Sequence, residues 1–268
     1  MTLIDLELPE WDFRQKRDRL AGCSMTGYED ATARMDGAAR EALLHSLRQA
    51  ADQAARDYAH QLRIPTPLLV TTLKPEGSLS LVAGGVSPGL HDAHAPYFIR
   101  RIRISADDAL AKAAIALGWQ VHPEVGTPDN DISKARTLVV DFPIASGATR
   151  TKDDVSALEQ LERYFMFQRA YTQHNSSNTL TVRPEEWEPL KQRIWAQWDD
   201  FVGVSFLALD GGTYQLAPYE AISQAEYERL AAAFKPFDPA VLQQYESIGV
   251  SDLDSEDPDC ATAACPVR

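Results

Sequence analysis

The chain has 268 residues, of which 44% are hydrophobic and 24% charged, and it carries a formal net charge of −13. That is ample material for a core in one large domain or two small ones. The acidic balance excludes a surface that tracks nucleic-acid phosphates, which needs a basic stripe, and no stretch approaches the roughly 18 apolar residues of a membrane span. Three cysteines are too few for a disulfide scaffold. The opening MTLIDLELPEWDF lacks the basic start and apolar core of a secretion signal, so a cytoplasmic protein is expected.

Residues 1–19, with the charge cluster from Arg14 to Arg19, read as a linking segment. Leu20–Gly27 reads as a short inner strand, with Cys23 as a buried small hydrophobe. From Asp36-Gly37 to Leu62 the periodicity predicts a helix. Its apolar stripe is Leu43, Leu47, Ala50 or Ala51, Ala54, Tyr58 and Leu62, with Arg48, Asp52, Arg56 and His60 on other faces. His45 and His60 have no companions at ligand spacing and read as surface residues. Pro65 and Pro67 end the helix and lead into an apolar strand, Leu68–Leu73.

That strand runs into Lys74-Pro75-Glu76-Gly77-Ser78, followed by two more glycine turns at Gly84-Gly85 and Ser87-Pro88-Gly89. A strand ending in such a turn aims several backbone N–H groups at one anion, and Ser78 adds a hydroxyl. The same residues also suit a loop that merely reverses the chain. Beyond it, Phe98–Ile104 alternates as a strand, its Arg101 and Arg103 on a solvated face. A helix follows from Asp107 to Leu117, then an apolar strand over Thr137–Phe142. A helix over Asp153–Tyr171 has Val155, Leu158, Leu161 and Phe165 on its apolar face. Asn175–Asn178 turns into a strand at Thr179–Val182, and Pro184 opens a helix to about Trp198. Val202–Leu209 has the near-continuous apolar character of a strand buried on both faces. Ser223 and Glu226 form a capping box for a helix to about Phe234.

Helices alternating with apolar strands predict crossover units and a mainly parallel sheet. From Ser251 onward the chain is acidic and poor in large apolar groups, a tail holding Cys260 and Cys265. Two thiols separated by four residues can close a small disulfide loop, and in a reducing cytosol such a pair is redox-active more readily than structural. Two idle cysteines on a frayed terminus is the open alternative. A zinc site is disfavoured, since two thiolates alone leave the metal undercoordinated.

The order of LKPEGS, GVSPGLH, APYFIRRIRIS, HNSSNT, DDFVGVSFLALDGGTYQLAPYE and DCATAACPVR resembles the C-terminal portion of the adenosylcobalamin-dependent (class II) ribonucleotide reductases. The resemblance covers nearly the whole chain from about Arg19. It implies an α/β fold, the second half of a ten-stranded α/β barrel of mainly parallel strands with crossover helices, plus a flexible tail. The division implied is a linking segment at 1–19, a half-barrel at 20–250 and a redox tail at 251–268. It implies that Pro75, Glu76, Gly77, Ser78 and Leu79 hold the substrate phosphates, with the Glu76 carboxylate turned away. It also implies that Cys260 and Cys265 re-reduce the active-site disulfide, drawing on thioredoxin or a similar dithiol. Glu76 and Ser78 depart slightly from the family's turn, where a small residue and Thr are common.

The family's Asn-Pro-Cys-x-Glu radical loop is not in this sequence. The resemblance therefore implies the small subunit of a split enzyme or a gene fragment, acting on ribonucleotides with an N-terminal reductase partner and sharing adenosylcobalamin with it. The competing expectations are a non-catalytic nucleotide-binding relic or regulatory subunit, and a thiol carrier in which only the tail works.

Overall fold

A computed structural model describes residues 4–148, 150–209 and 215–246; Cys260, Cys265 and the expected tail lie outside the described residues. The described elements, in chain order, begin with α1 (Pro9–Asp18), α2 (Tyr28–Ala31), α3 (Gly37–Leu62), α4 (Leu79–Val82), β1 (Tyr97–Ser105) and α5 (Ala109–Leu117). Next come β2 (Val121–Pro123), β3 (Thr137–Ala145), α6 (Ala157–Ala170), β4 (Thr179–Val182) and α7 (Trp187–Ala196). The last are β5 (Ser205–Ala208), β6 (Tyr219–Ala221), α8 (Gln224–Ala233) and α9 (Pro239–Gln243). The chain divides into two units, Met1–Arg100 with Pro143–Ala231, and Arg101–Phe142 with Ala232–Arg268.

The first unit is organised around α6. Its start is fixed by Ser156, whose hydroxyl accepts the Glu159 amide at 3.1 Å. The helix then buries side chains in two directions. Phe167 and Ala170 join Tyr28, Leu44, Leu73, Leu90 and Tyr171 in one core cluster. Ala157, Leu161, Tyr164 and Phe165 join Leu180, Val182 and Leu190 in another. Val155, Leu161 and Phe165 are buried as their spacing predicts, but Leu158 is exposed.

Helix α3 begins where Asp36 accepts the Ala39 amide at 2.8 Å, as expected, yet its packed face is rotated from the predicted stripe. Leu44 and Ala59 are buried, whereas Leu47 and Tyr58 are exposed. Asp52 lies on the inner side, where the Gln173 side-chain amide donates to its carboxylate at 3.1 and 3.2 Å. A polar anchor on α3 thus sets the rotation that apolar periodicity alone misses.

Parallel pairing is present but short. β4 and β5 pair in parallel, Thr179 opposite Ser205. Isolated parallel bridges continue the array from Cys23 to Thr71 and from Leu73 to Ser176. Segments around residues 23, 71–73, 176–182 and 205–208 therefore lie side by side in that order. The expected strand Leu68–Leu73 is reduced to these bridges because side-chain bonds take part of its ladder. The Gln173 side-chain oxygen Oε1 accepts the Val70 and Thr71 amides at 2.6 and 3.2 Å. Cys23, expected buried, is exposed.

The β5 strand departs furthest from expectation: all four residues are exposed, where an apolar run predicts burial on both faces. Only β4 pairs with it among the described strands. The remaining sheet, ordered β2-β3-β1-β6, corrects the mainly parallel expectation. β1 pairs antiparallel with β6, Phe98 opposite Ala221, and β2 pairs antiparallel with β3.

In the second unit, Asp108 caps α5 by accepting the Leu110 amide at 2.8 Å, and Gly118 at φ 76° ends it. Trp119 packs on Phe142 and Phe234 at ring separations of 5.5 and 4.5 Å. Arg101 reverses the predicted pattern. Its side chain is 9% exposed and donates to Asp141 at 3.0 Å, while Ile102 is 36% exposed. A buried carboxylate draws the guanidinium inward, because an unpaired charge there costs more than an exposed isoleucine.

Candidate functional site

The first unit encloses a cavity of about 330 Å³, whose walls include Pro75, Gly77, His94, Lys152, Asn178 and Tyr219. That volume lies at the small end of the range for small-molecule sites. The walls come from segments far apart in sequence, so the loops between Lys74 and Ala95 must be held firmly.

Gly89 sets the closest of these approaches. Its φ is +56°, and a Cβ there would stand 2.4 Å from the Lys74 carbonyl oxygen and 3.4 Å from the Pro75 carbonyl carbon. Only glycine lets the GVSPGLH loop lie against the LKPEGS turn backbone to backbone. Ser87 fixes the loop's other side: its amide donates to Asp30 at 2.6 Å. Its carbonyl accepts the Gly27 amide at 2.8 Å and the Thr26 hydroxyl at 3.0 Å.

His91 closes the loop onto β4. One ring nitrogen, Nδ1, lies 3.1 Å from the Pro88 carbonyl oxygen, and Nε2 accepts the Thr179 amide at 3.1 Å. An acceptor at Nε2 and a donor at Nδ1 define one neutral tautomer. Burial pushes the His91 pKa below the ordinary histidine value. Arg163, buried on α6, donates to the Leu90 carbonyl at 2.8 Å and to Asp92 at 2.8 Å, and pairs with Glu29 at 3.1 Å. Glu29 also pairs with Arg40 at 3.1 Å. Burial nevertheless pushes the Glu29 carboxyl above its ordinary value, with the two arginines opposing. This Arg–Glu–Arg–Asp chain neutralises itself and anchors the loop; it is not free to take a ligand.

The remaining wall is aromatic with one cation. His94 stacks on Tyr219 at 5.3 Å and meets Phe98 edge-on at 6.0 Å. Tyr219 is held by the Arg100 guanidinium 4.4 Å over its ring, and Arg100 donates to the Pro218 carbonyl at 3.1 Å. The Tyr219 hydroxyl reaches the turn itself, 3.9 Å from where a Gly77 Cβ would sit. Burial, with help from Lys152, lowers the His94 pKa to about 4. Among the described residues Lys152 pairs with the exposed Asp153, at 3.0 Å. A neutral aromatic wall with a lysine at its margin suits an anionic ligand that carries a flat ring.

Of the five residues expected in the turn, Pro75 and Gly77 line the cavity; Glu76, Ser78 and Leu79 do not. Glu76 adopts φ +52°, a left-handed conformation uncommon for a side-chain-bearing residue. The Ser80 amide bonds back to the Glu76 carbonyl at 2.9 Å, and the amides of Gly77, Ser78 and Leu79 come ahead of that first closed turn. Cys260 and Cys265 lie outside the described residues. Sequence reasoning missed His91, His94, Lys152 and Tyr219 as wall or clamp residues. The only available signal was their membership in quoted motifs or their neighbourhood.

No protein-family model matches the chain. An adenosylcobalamin-dependent ribonucleoside-triphosphate reductase of Euglena gracilis is 32% identical over 239 residues, 85% of this chain and 31% of the relative. The probable enzyme of that name from Dictyostelium discoideum is 28% identical across 100% of this chain and 34% of its own length. A crystal structure of a B12-dependent (class II) ribonucleotide reductase superposes with a TM-score of 0.69 at 25% identity, over 88% of this chain and 36% of that one. The chain therefore spans about a third of the length of the relatives it matches. Sequence and fold agree: it is homologous to one portion of the adenosylcobalamin-dependent (class II) ribonucleotide reductases.

Proposed function

We propose that this chain is the C-terminal half-barrel of a class II ribonucleotide reductase and works with an N-terminal reductase chain that carries the radical loop. The observation that carries the reading is the Gly89–Lys74 contact. It packs two of the motifs that carry the family resemblance, the LKPEGS turn expected to hold the substrate phosphates and the GVSPGLH loop, against each other and beside one cavity. In this reading the ribonucleotide's phosphates sit on the turn Pro75–Leu79, where backbone amides supply the donors. Lys152 adds positive charge, and the Glu76 side chain stays outside the cavity.

Adenosylcobalamin, on which the matched relatives depend by name, would supply the radical chemistry when bound. The cavity of about 330 Å³ is small for a corrin, and no group of His, Cys, Asp or Glu among the described residues is placed to ligate a metal. The described residues thus do not form a corrin site by themselves. We assign the cofactor to the assembled enzyme, shared with the N-terminal chain. The dithiol Cys260–Cys265 is assigned the re-reduction of the active-site disulfide. Thiol–disulfide exchange moves two electrons from the tail to that disulfide and leaves the tail oxidised for thioredoxin to restore. Tethering gives the tail a high effective concentration at its target.

The test replaces Cys260 and Cys265 with Ser in the assembled enzyme. Multiple turnover with thioredoxin collapses, while a single turnover on the prereduced site survives. Undiminished multiple turnover contradicts the tail's role, and no turnover by the unsubstituted assembly contradicts the reductase reading.

A further inference from the structure

Helix α7 buries only Leu190, and its outer side is aromatic. Trp187, Trp195 and Trp198 with Phe206 of β5 line a hollow of about 380 Å³. Trp195 is 77% and Trp198 58% exposed, and their rings lie 6.0 Å apart. Trp187 meets Phe206 at 5.6 Å. Three of the chain's five tryptophans thus stand in one open patch. Large exposed apolar patches mark interaction sites, and tryptophan is the residue type most enriched among interface anchors.

The patch is continuous with β5, whose four residues are all exposed and whose one described partner is β4. An unpaired strand edge beside an aromatic hollow calls for a polypeptide that brings both backbone donors and apolar side chains. The matched relatives have about two thirds of their length with no counterpart here, and that missing portion is the occupant with the right chemistry. A second copy of this chain would bring like charge, since its net charge is −13.

The geometry points to the hollow of Trp187, Trp195, Trp198 and Phe206, with the β5 edge, as the surface on which the N-terminal reductase chain docks. This rests on the reading under Proposed function. Both tryptophans are solvent-facing, so Trp195→Ser with Trp198→Ser removes anchors without opening the core.

The test co-expresses the full chain with a companion carrying an Asn-Pro-Cys-x-Glu loop and measures its dissociation constant. Two anchors, each contributing about tenfold or more, make the double variant at least about 100-fold weaker. Oxidative footprinting of the unsubstituted complex shows Trp195 and Trp198 protected, which decides the matter even if the variant folds poorly. Binding within about threefold of the original, with both tryptophans still oxidised in the complex, overturns the docking surface while the reductase reading stands. A companion that never binds the unsubstituted chain overturns both. A homodimer of this chain that protects the same two residues overturns the assigned occupant.

Discussion

Gly89 stands so close to Lys74 that a single added methyl carbon would sit 2.4 Å from the lysine's carbonyl oxygen. The obstacle is backbone, which cannot swing aside as a side chain would. At φ +56° any L-residue also bears a left-handed penalty. Gly89→Ala therefore combines overpacking, about 1–3 kcal/mol, with about 1–2 kcal/mol for the conformation. Chemical denaturation is expected to show a loss of about 3 kcal/mol or more. A loss under about 1 kcal/mol would mean that the two loops are not in contact.

Arg163 is the next point of failure. It is buried between Asp92 and Glu29 and also holds the Leu90 carbonyl. Arg163→Met keeps the volume but strands the buried Asp92 carboxylate and leaves Glu29 with Arg40 as its remaining partner, so a loss of about 3–5 kcal/mol is expected. Removing the partners together, in a triple variant with Glu29→Gln and Asp92→Asn, is expected to recover part of that loss. A single variant as stable as the parent would remove the anchor from the account.

His94 gives stability a pH dependence whose sign follows from its lowered pKa. The unfolded chain binds a proton at the ordinary histidine value of 6.5, and the folded protein only at about 4. Between these values the unfolded state holds more protons, so the His94 contribution is fully present above pH 6.5 and is lost as pH falls toward 4. His91, also lowered by burial, has the same sign. Glu29, raised by burial, has the opposite one. The clean measurement is a difference: His94→Gln flattens the curve across this window relative to the parent. Proton NMR of the His94 ring is expected to titrate near pH 4, and a midpoint near 6.5 would show an open, solvated site.

Much of the fold is legible in the sequence wherever a local signal decides it. Asp36 and Ser223 cap the helices they are expected to begin, while Asp108 and Ser156 cap theirs one and three residues past the expected starts at Asp107 and Asp153, and Thr179–Val182 forms the predicted strand. What depends on distant neighbours is not legible. The face that α3 buries is set by Gln173 reaching Asp52, 121 residues away. The exposure of β5 depends on what lies beside it, which an apolar run does not reveal. His91 looks solitary in sequence because its acceptor role serves the Thr179 amide, 88 residues on. Gly89 is conspicuous as a turn residue, but that its turn lies on Lys74 emerges only from the fold.

The central claim is that this chain supplies the substrate cradle of a reductase completed by an N-terminal chain. The most direct measurement is formation of deoxynucleotide from ribonucleoside triphosphate with both chains, adenosylcobalamin and a dithiol reductant present. The account predicts multiple turnover that disappears when any one of the four is left out, and that falls sharply with Gly89→Ala. Product formed as fast by the companion chain alone, or none with all four present, would contradict it.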